Sequence, residues 1–198
     1  MHDVLVVCAH PREDSFHRAV VDAAVRGLRT GGHEVTMLDL YGLCFRAAMT
    51  VDEHRAYHSD QPILDPMVAE HARLVQQATT MVFVYPMWWG SLPAIMKGWF
   101  ERVMVPGVGF RLDERTGKVR PALHQVRHLV GISTYGSPWS LVKLGSDGGR
   151  RIVTRALRMS CGWRARPRWL GLYAIDTAGP AERAAFLDRV EHTMATLS

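Results

Sequence analysis

The segment Met81–Val103, MVFVYPMWWGSLPAIMKGWFERV, restricts the fold more than any other part of the chain. It opens as a short apolar run rich in β-formers and breaks at Pro86. Proline donates nothing to a sheet ladder, so Pro86 ends a strand. The pattern restarts at Pro93 with helical spacing, and proline suits the first turn of a helix. The residues between them form a short strand-to-helix connection. In an α/β sheet such a connection lies at the carboxyl edge, where ligands bind. Trp88 and Trp89 set a flat apolar wall there, because two adjacent indoles do not easily enter one core. Free backbone N–H groups of the same loop are expected to grip the polar edge of a ring.

The same alternation runs along the whole chain. Asp3–Ala9 is a continuous apolar run, as a central parallel strand requires. Asp14 and Ser15 are cap residues for a helix reaching Thr30, which Gly31-Gly32 stops. His33–Asp39 reads as the second strand and residues 41–62 as an irregular excursion. A helix is predicted over Ile63–Gln77, the third strand over Thr79–Tyr85 and a helix over Leu92–Val103. Residues 105–124 read as a long loop or small hairpin, Val126–Thr134 as the fourth strand and Tyr135–Asp147 as a loop. Gly148–Cys161 is helical, Trp169–Ile175 is the fifth strand and Pro180–Leu197 closes the chain as a helix. Strands alternating with helices predict an α/β protein with a five-stranded parallel sheet in the flavodoxin-like order 2-1-3-4-5, helices covering both faces. No linker or repeat divides it, so residues 1–198 are expected to form a single domain with a sizeable core.

Composition removes several classes of function. No apolar run is long enough to span a membrane or to serve as a signal h-region, so no membrane insertion and a cytoplasmic protein are expected. Cys8, Cys44 and Cys161 are odd in number and widely spaced, which suits buried free thiols and no disulfide framework. The net charge is +5, and seven arginines fall between Arg150 and Arg168. Trp163 and Trp169 beside them form no known nucleic-acid readout pattern, so no nucleic-acid partner is expected. The arginines read as a solvated surface, or as partners for the phosphates of a dinucleotide. No metal is expected, because His54 and His58, with Glu53 beside them, lack a third ligand. His124 and His128 suit a solvated or core role. Neither GxGxxG nor a Walker loop is present, and Gly117-Lys118 lacks its partners. GxSxG is absent too, and Asp113-Glu114 looks like surface.

In the predicted sheet the loops after strands 1, 3 and 4 converge. The first, AHPREDSFH, ends at a helix N-terminus, a natural anion site to which His10 and Ser15 add side chains. The plainer reading is a capped turn with His10 exposed, and Asp14 opposes a phosphate unless it points away. The second loop holds Trp88 and Trp89, as ring wall or subunit interface. The third, STYGSPW, offers hydroxyls and a glycine that permits close approach, or is a simple turn.

Three segments together resemble the flavodoxin-like NAD(P)H:quinone oxidoreductases, the DT-diaphorase-like group that includes the ancillary subunits of potassium-efflux systems. They are AHPxxxSFxxA (His10, Pro11, Ser15, Phe16, Ala19), DLY (Asp39, Leu40, Tyr41) and the run from Tyr85 to Val103. The resemblance implies a flavin across the three loops. His10, Ser15, Phe16 and His17 would hold its phosphate. Pro86, Met87, Trp88 and Trp89 would line the ring, largely through backbone groups, and Ser133, Thr134, Tyr135 and Gly136 would meet its other edge. It implies a homodimer and a ping-pong reaction, with hydride passing from NAD(P)H to the flavin and then two electrons to a quinone. The chain lacks the extra C-terminal domain of the larger FAD members, which favours FMN over FAD. The third loop departs from the family pattern: Tyr135 replaces a glycine, and no acid–base Tyr/His pair carries over. Tyr135 stands as a catalytic candidate by hydrogen-bonding a quinone oxygen. The resemblance leaves two alternatives, a regulatory flavin-binding subunit of a potassium-efflux-type transporter and a one-electron carrier.

Overall fold

The computed structural model describes residues 2–145 and 147–197. In chain order its strands are β1 (Asp3–Cys8), β2 (Glu34–Asp39), β3 (Thr80–Pro86), β4 (Phe110–Leu112), β5 (Val119–Pro121), β6 (His128–Thr134) and β7 (Arg166–Leu172). The helices are α1 (Phe16–Thr30), α2 (Val51–Ala56), α3 (Pro66–Gln77), α4 (Ala94–Val103), α5 (Trp139–Gly145), α6 (Gly148–Arg151), α7 (Leu157–Cys161) and α8 (Pro180–Ala195). A π-helical stretch, Ile152–Ala156, joins α6 to α7. Five strands form one sheet in the order β2-β1-β3-β6-β7, and every pairing in it is parallel. The hairpin β4–β5 stands apart from that sheet, so β6 and β7 are its fourth and fifth strands.

Period-two alternation divides the core between two faces. Val4, Val6 and Cys8 of β1 pack with α1 and α8, through Val20, Val21, Leu28 and Phe186. Leu5, Val7 and Ala9 point to the other face, where α3, α4 and the π-bearing helix supply Val75, Met96, Trp99 and Val153. Strands β3 and β6 are buried along their whole length, as the apolar runs predict.

Several elements differ from expectation. The excursion 41–62 contains α2, opened by a capping box in which Thr50 accepts from the Glu53 N–H and the Glu53 side chain accepts from the Thr50 N–H. The segment Tyr135–Asp147 contains α5. The last strand begins earlier, at Arg166, because exposed Arg166 and Arg168 on an edge strand hide its apolar pattern. Cys8 and Cys161 are buried, but Cys44 is exposed with φ at 50°. No helix among the described residues is long and apolar enough to cross a membrane.

Arg102 of α4 holds the excursion down. Its side chain is 2% exposed, and it donates to Glu53 at 2.9 Å through Nε and to Asp65 at 2.8 Å through Nη2. Asp65 uses its other oxygen to cap α3, and the Phe45 ring lies under the guanidinium. Gly98, one turn earlier, makes room: a Cβ there would stand 2.2 Å from the Ala47 carbonyl oxygen. Glu53 therefore turns inward to an ion pair, away from any metal role with His54 and His58. Arg102→Met is expected to cost about 3–5 kcal/mol, because it strands a buried carboxylate without its partner. Urea unfolding midpoints of the variant and the native chain measure this.

Candidate active site

Strand order reverses between β1 and β3. The chain leaves β1 toward α1 on one face and leaves β3 toward α4 on the other, so a crevice opens between the two connections. His10, after β1, stacks on His17 with ring centroids 5.1 Å apart, and its ring lies 6.3 Å from that of Trp88, after β3. The Met87 N–H donates to the Thr134 carbonyl at 2.8 Å, which ties the second loop to the third. The three connections that sequence reasoning singled out thus meet at one edge of the sheet.

In the first connection, His10 Nδ1 lies 3.1 Å from both the N–H and the carbonyl oxygen of Arg12, which engages that nitrogen within the turn. Ser15 is a true N-cap: its hydroxyl accepts from the Arg18 N–H at 3.3 Å and donates to the Arg12 carbonyl at 2.9 Å. Its proton is therefore committed, and the cap sets the angle of the first helical turn. Asp14 points at Arg12, at 3.0 Å, and that pairing offsets its charge. Phe16 packs its ring toward Phe186 and Arg183, leaving its backbone N–H for the site. His17 is 7% exposed and its Nε2 has no partner. Burial, with the neighbouring His10 adding to it, lowers its pKa from 6.5 to about 3. A neutral imidazole with an unanswered nitrogen, beside a helix N-terminus whose first turn holds no acidic residue, is suited to an anionic oxygen.

The second connection forms a tight turn. Trp88 and Ser91 exchange backbone hydrogen bonds at 3.1 and 3.0 Å, and Trp89 and Gly90 at the tip have φ of 48° and 70°. Glycine accepts the left-handed region freely, but tryptophan does not. The turn is pinned by the Gly148 N–H, which donates to the Gly90 carbonyl at 2.8 Å. Trp88 is 40% exposed and Trp89 is 103% exposed, so neither belongs to the core. The N–H groups of Met87 and Trp88 are already used within the protein. This corrects the expectation of a loop with wholly free N–H groups; contact at these two residues falls to the side chains. Pro86 is the buried last residue of β3.

The third connection departs furthest from expectation. Ser133 pairs with Tyr85 in the sheet register, so both side chains emerge on the face covered by α6–α7. The Ser133 hydroxyl is buried there without a partner, beneath the helices and away from the loop edge. Tyr135 is 0% exposed, stacks on Tyr173 at 4.4 Å and donates its one proton to Asp147 at 2.7 Å. Burial raises its pKa further above the ordinary range, and Asp147 adds to the effect. Its hydroxyl clamps the third loop to Asp147, and that bond uses the proton that a quinone oxygen would have accepted. Thr134, nearly buried, and exposed Gly136 remain at the edge of the crevice. Asp147 and Tyr173 were missed by sequence reasoning. Asp147 carries a legible signal, an N-cap residue before Gly148-Gly149; Tyr173 carries none.

A profile of the flavodoxin-like fold matches residues 2–191. The NAD(P)H dehydrogenase (quinone) 1 of Cavia porcellus is 31% identical over 202 residues, covering 92% of this chain and 72% of its own length. The chain belongs to the flavodoxin-like NAD(P)H:quinone oxidoreductase family. Two solved structures show the same fold. The NAD(P)H:quinone oxidoreductase from Methanothermobacter marburgensis superposes with a TM-score of 0.78 at 23% identity, covering 97% of this chain and 94% of its own. An FMN-dependent NADH-azoreductase from Bacillus anthracis, solved in complex with FMN, gives 0.75 at 15% identity and covers 98% of each chain.

Two outcomes follow for this family member. His17 stays neutral in the folded chain, so it costs nothing above pH 6.5, and stability drains as the pH falls from there toward 3. Buried His33, His71 and His128, whose pKa values burial also lowers, steepen the loss. Relative to neutral pH, His17 alone removes about 2 kcal/mol at pH 5, and His17→Gln is expected to flatten the unfolding free energy measured between pH 7.5 and 5. Tyr135→Phe is expected to lower unfolding stability by about 1 kcal/mol, with the KM for an acceptor unchanged. A raised KM without loss of stability would return Tyr135 to the reaction.

Proposed function

We propose that this protein is a flavin-dependent NAD(P)H oxidoreductase that reduces a quinone-like acceptor by two electrons. The observation that carries this reading is the junction at the β1/β3 switch point. There the unpartnered nitrogen of buried His17 stands beside the first turn of α1, and the exposed indole of Trp88 borders the same crevice. These features fit a ligand with a phosphate at one end and a flat ring at the other. His17 Nε2, the His10 ring and the first-turn N–H groups of Phe16 and His17, aimed by the Ser15 cap, would hold the phosphate. Trp88 would face the ring, with Thr134 and Gly136 at its other edge. When bound, flavin supplies the two-electron chemistry between NAD(P)H and the acceptor.

FMN is the flavin we infer, in keeping with the FMN complex of the azoreductase that shares the fold. The chain's own residues bind and orient. Tyr135 and Asp147 brace the third loop, and the Tyr135 proton is committed to Asp147.

The site extends to a second copy of the chain. Trp89 stands fully in solvent on a strained backbone, which a covering subunit would repay. We therefore infer a homodimer. Free thiols at Cys8, Cys44 and Cys161 suit a reducing compartment such as the cytoplasm.

The test is to purify the protein, record its visible spectrum and add NADPH without oxygen. Bound flavin that bleaches, and reoxidises on adding menadione, is the expected result; mass analysis of the released cofactor identifies it. A colourless protein that neither FMN nor FAD reconstitutes would overturn the reading. Trp89→Gly is expected to leave the unfolding midpoint of the separated chain nearly unchanged while shifting sedimentation from dimer toward monomer.

A further inference from the structure

The largest concentration of unpaired charge lies outside this crevice. On the sheet face covered by the π-bearing helix, a cleft of about 610 Å³ opens between α5, the π-helical stretch and β7. That volume falls in the range of sites for whole organic ligands, roughly 300–1,000 Å³. Lys143, Arg150, Arg155 and Arg168 line it, and none of them is in an ion pair among the described residues. The single carboxylate in the lining is Asp147. One of its oxygens accepts from the Tyr135 hydroxyl at 2.7 Å and the other from the Arg150 N–H at 3.0 Å, and its single charge leaves the four cations in excess. Cations that outnumber their counter-charge in a concave site repel one another and raise the local affinity for anions.

The walls of the cleft are aromatic. Trp139, Trp169 and Tyr173 line it, with Lys143 over the first ring at 4.6 Å and Arg150 over the second at 5.9 Å. The indole N–H of Trp169 is buried with no partner. Guanidinium groups match the oxygens of a phosphate in fork geometry, and indole faces accept a flat heterocycle. We propose that this cleft binds a phosphate monoester carried on an aromatic base, a ligand of nucleoside bisphosphate size. Two sources share that chemistry: the 2′-phosphoadenosine end of NADPH, which rests on the oxidoreductase reading, and a free phosphorylated nucleotide, which does not.

Calorimetric titration of the purified holoprotein with adenosine 2′,5′-bisphosphate tests the site, with adenosine and inorganic phosphate as partial probes. The bisphosphate is expected to bind at least about tenfold more tightly than either part. The double variant Arg155→Gln/Arg168→Gln is expected to lose about tenfold or more of that affinity, while Arg164→Gln, outside the cleft, loses none. Steady-state kinetics then separate the sources. A raised KM for NADPH with an unchanged KM for NADH in the double variant assigns the site to the 2′-phosphate of the dinucleotide. Lost binding with both KM values unchanged assigns it to a free nucleotide. No binding, or binding that the double variant retains in full, would overturn the proposal. Failure of the oxidoreductase reading is separately visible as a protein without flavin, on which the titration still reports.

Discussion

The pairing of β1 with β3 is the constraint on which the site depends. Five register pairs, from Val4 opposite Thr80 to Cys8 opposite Val84, place these strands side by side and in parallel. Right-handed crossovers then send α1 to one face and α4 to the other. The loops that follow the two strands must part company at the carboxyl edge. Ala9 donates its N–H to the Val84 carbonyl at 3.2 Å, one of the last ladder bonds before the chains separate. His10 and Trp88 face each other across the gap because the sheet allows them no other place.

Pairing alone does not hold the second loop in position. Helix α4 follows it directly, and α4 is fixed from beneath by Trp99 in the core and from the side by Arg102. Arg102 gathers a capping-box glutamate, the N-cap aspartate of α3 and the Arg46 carbonyl around one guanidinium. The run from Tyr85 to Val103 is therefore a mechanical unit: a buried strand end, a rigid turn and a helix clamped to its surroundings. Trp89 keeps a left-handed backbone because the residues on either side of the turn have no freedom to relax it.

Much of this was legible in the sequence, because parallel strands buried on both faces leave an unbroken apolar signature and the two prolines mark where the second loop begins and ends. The strand order and the three converging loops follow from that. Legibility fails where a residue's role depends on a partner far away in the chain. Glu53 reads as a possible ligand beside two histidines until Arg102 is known to lie above it. Tyr135 reads as a residue at a ligand's edge until Asp147 and Tyr173 are seen to enclose it. Arg166 and Arg168 read as loop because an edge strand needs no apolar face on its open side. Ser15 looks the same in sequence whether its hydroxyl meets a phosphate or caps the helix; only the position of the Arg12 carbonyl decides.

The third loop shows how a shared fold separates from the details of its chemistry. Its backbone is tied on both sides, since Thr134 accepts from Met87 and Tyr135 accepts from Ile175. Its side chains have been turned to another purpose. Tyr135 turns inward and stacks on Tyr173. Burying a hydroxyl requires an acceptor, and Asp147 supplies it while also capping α6. Both Asp147 oxygens are thereby engaged, one by the third loop and one by the first turn of α6. Asp147 also lines the neighbouring cleft, so the third loop and that cleft meet at one carboxylate.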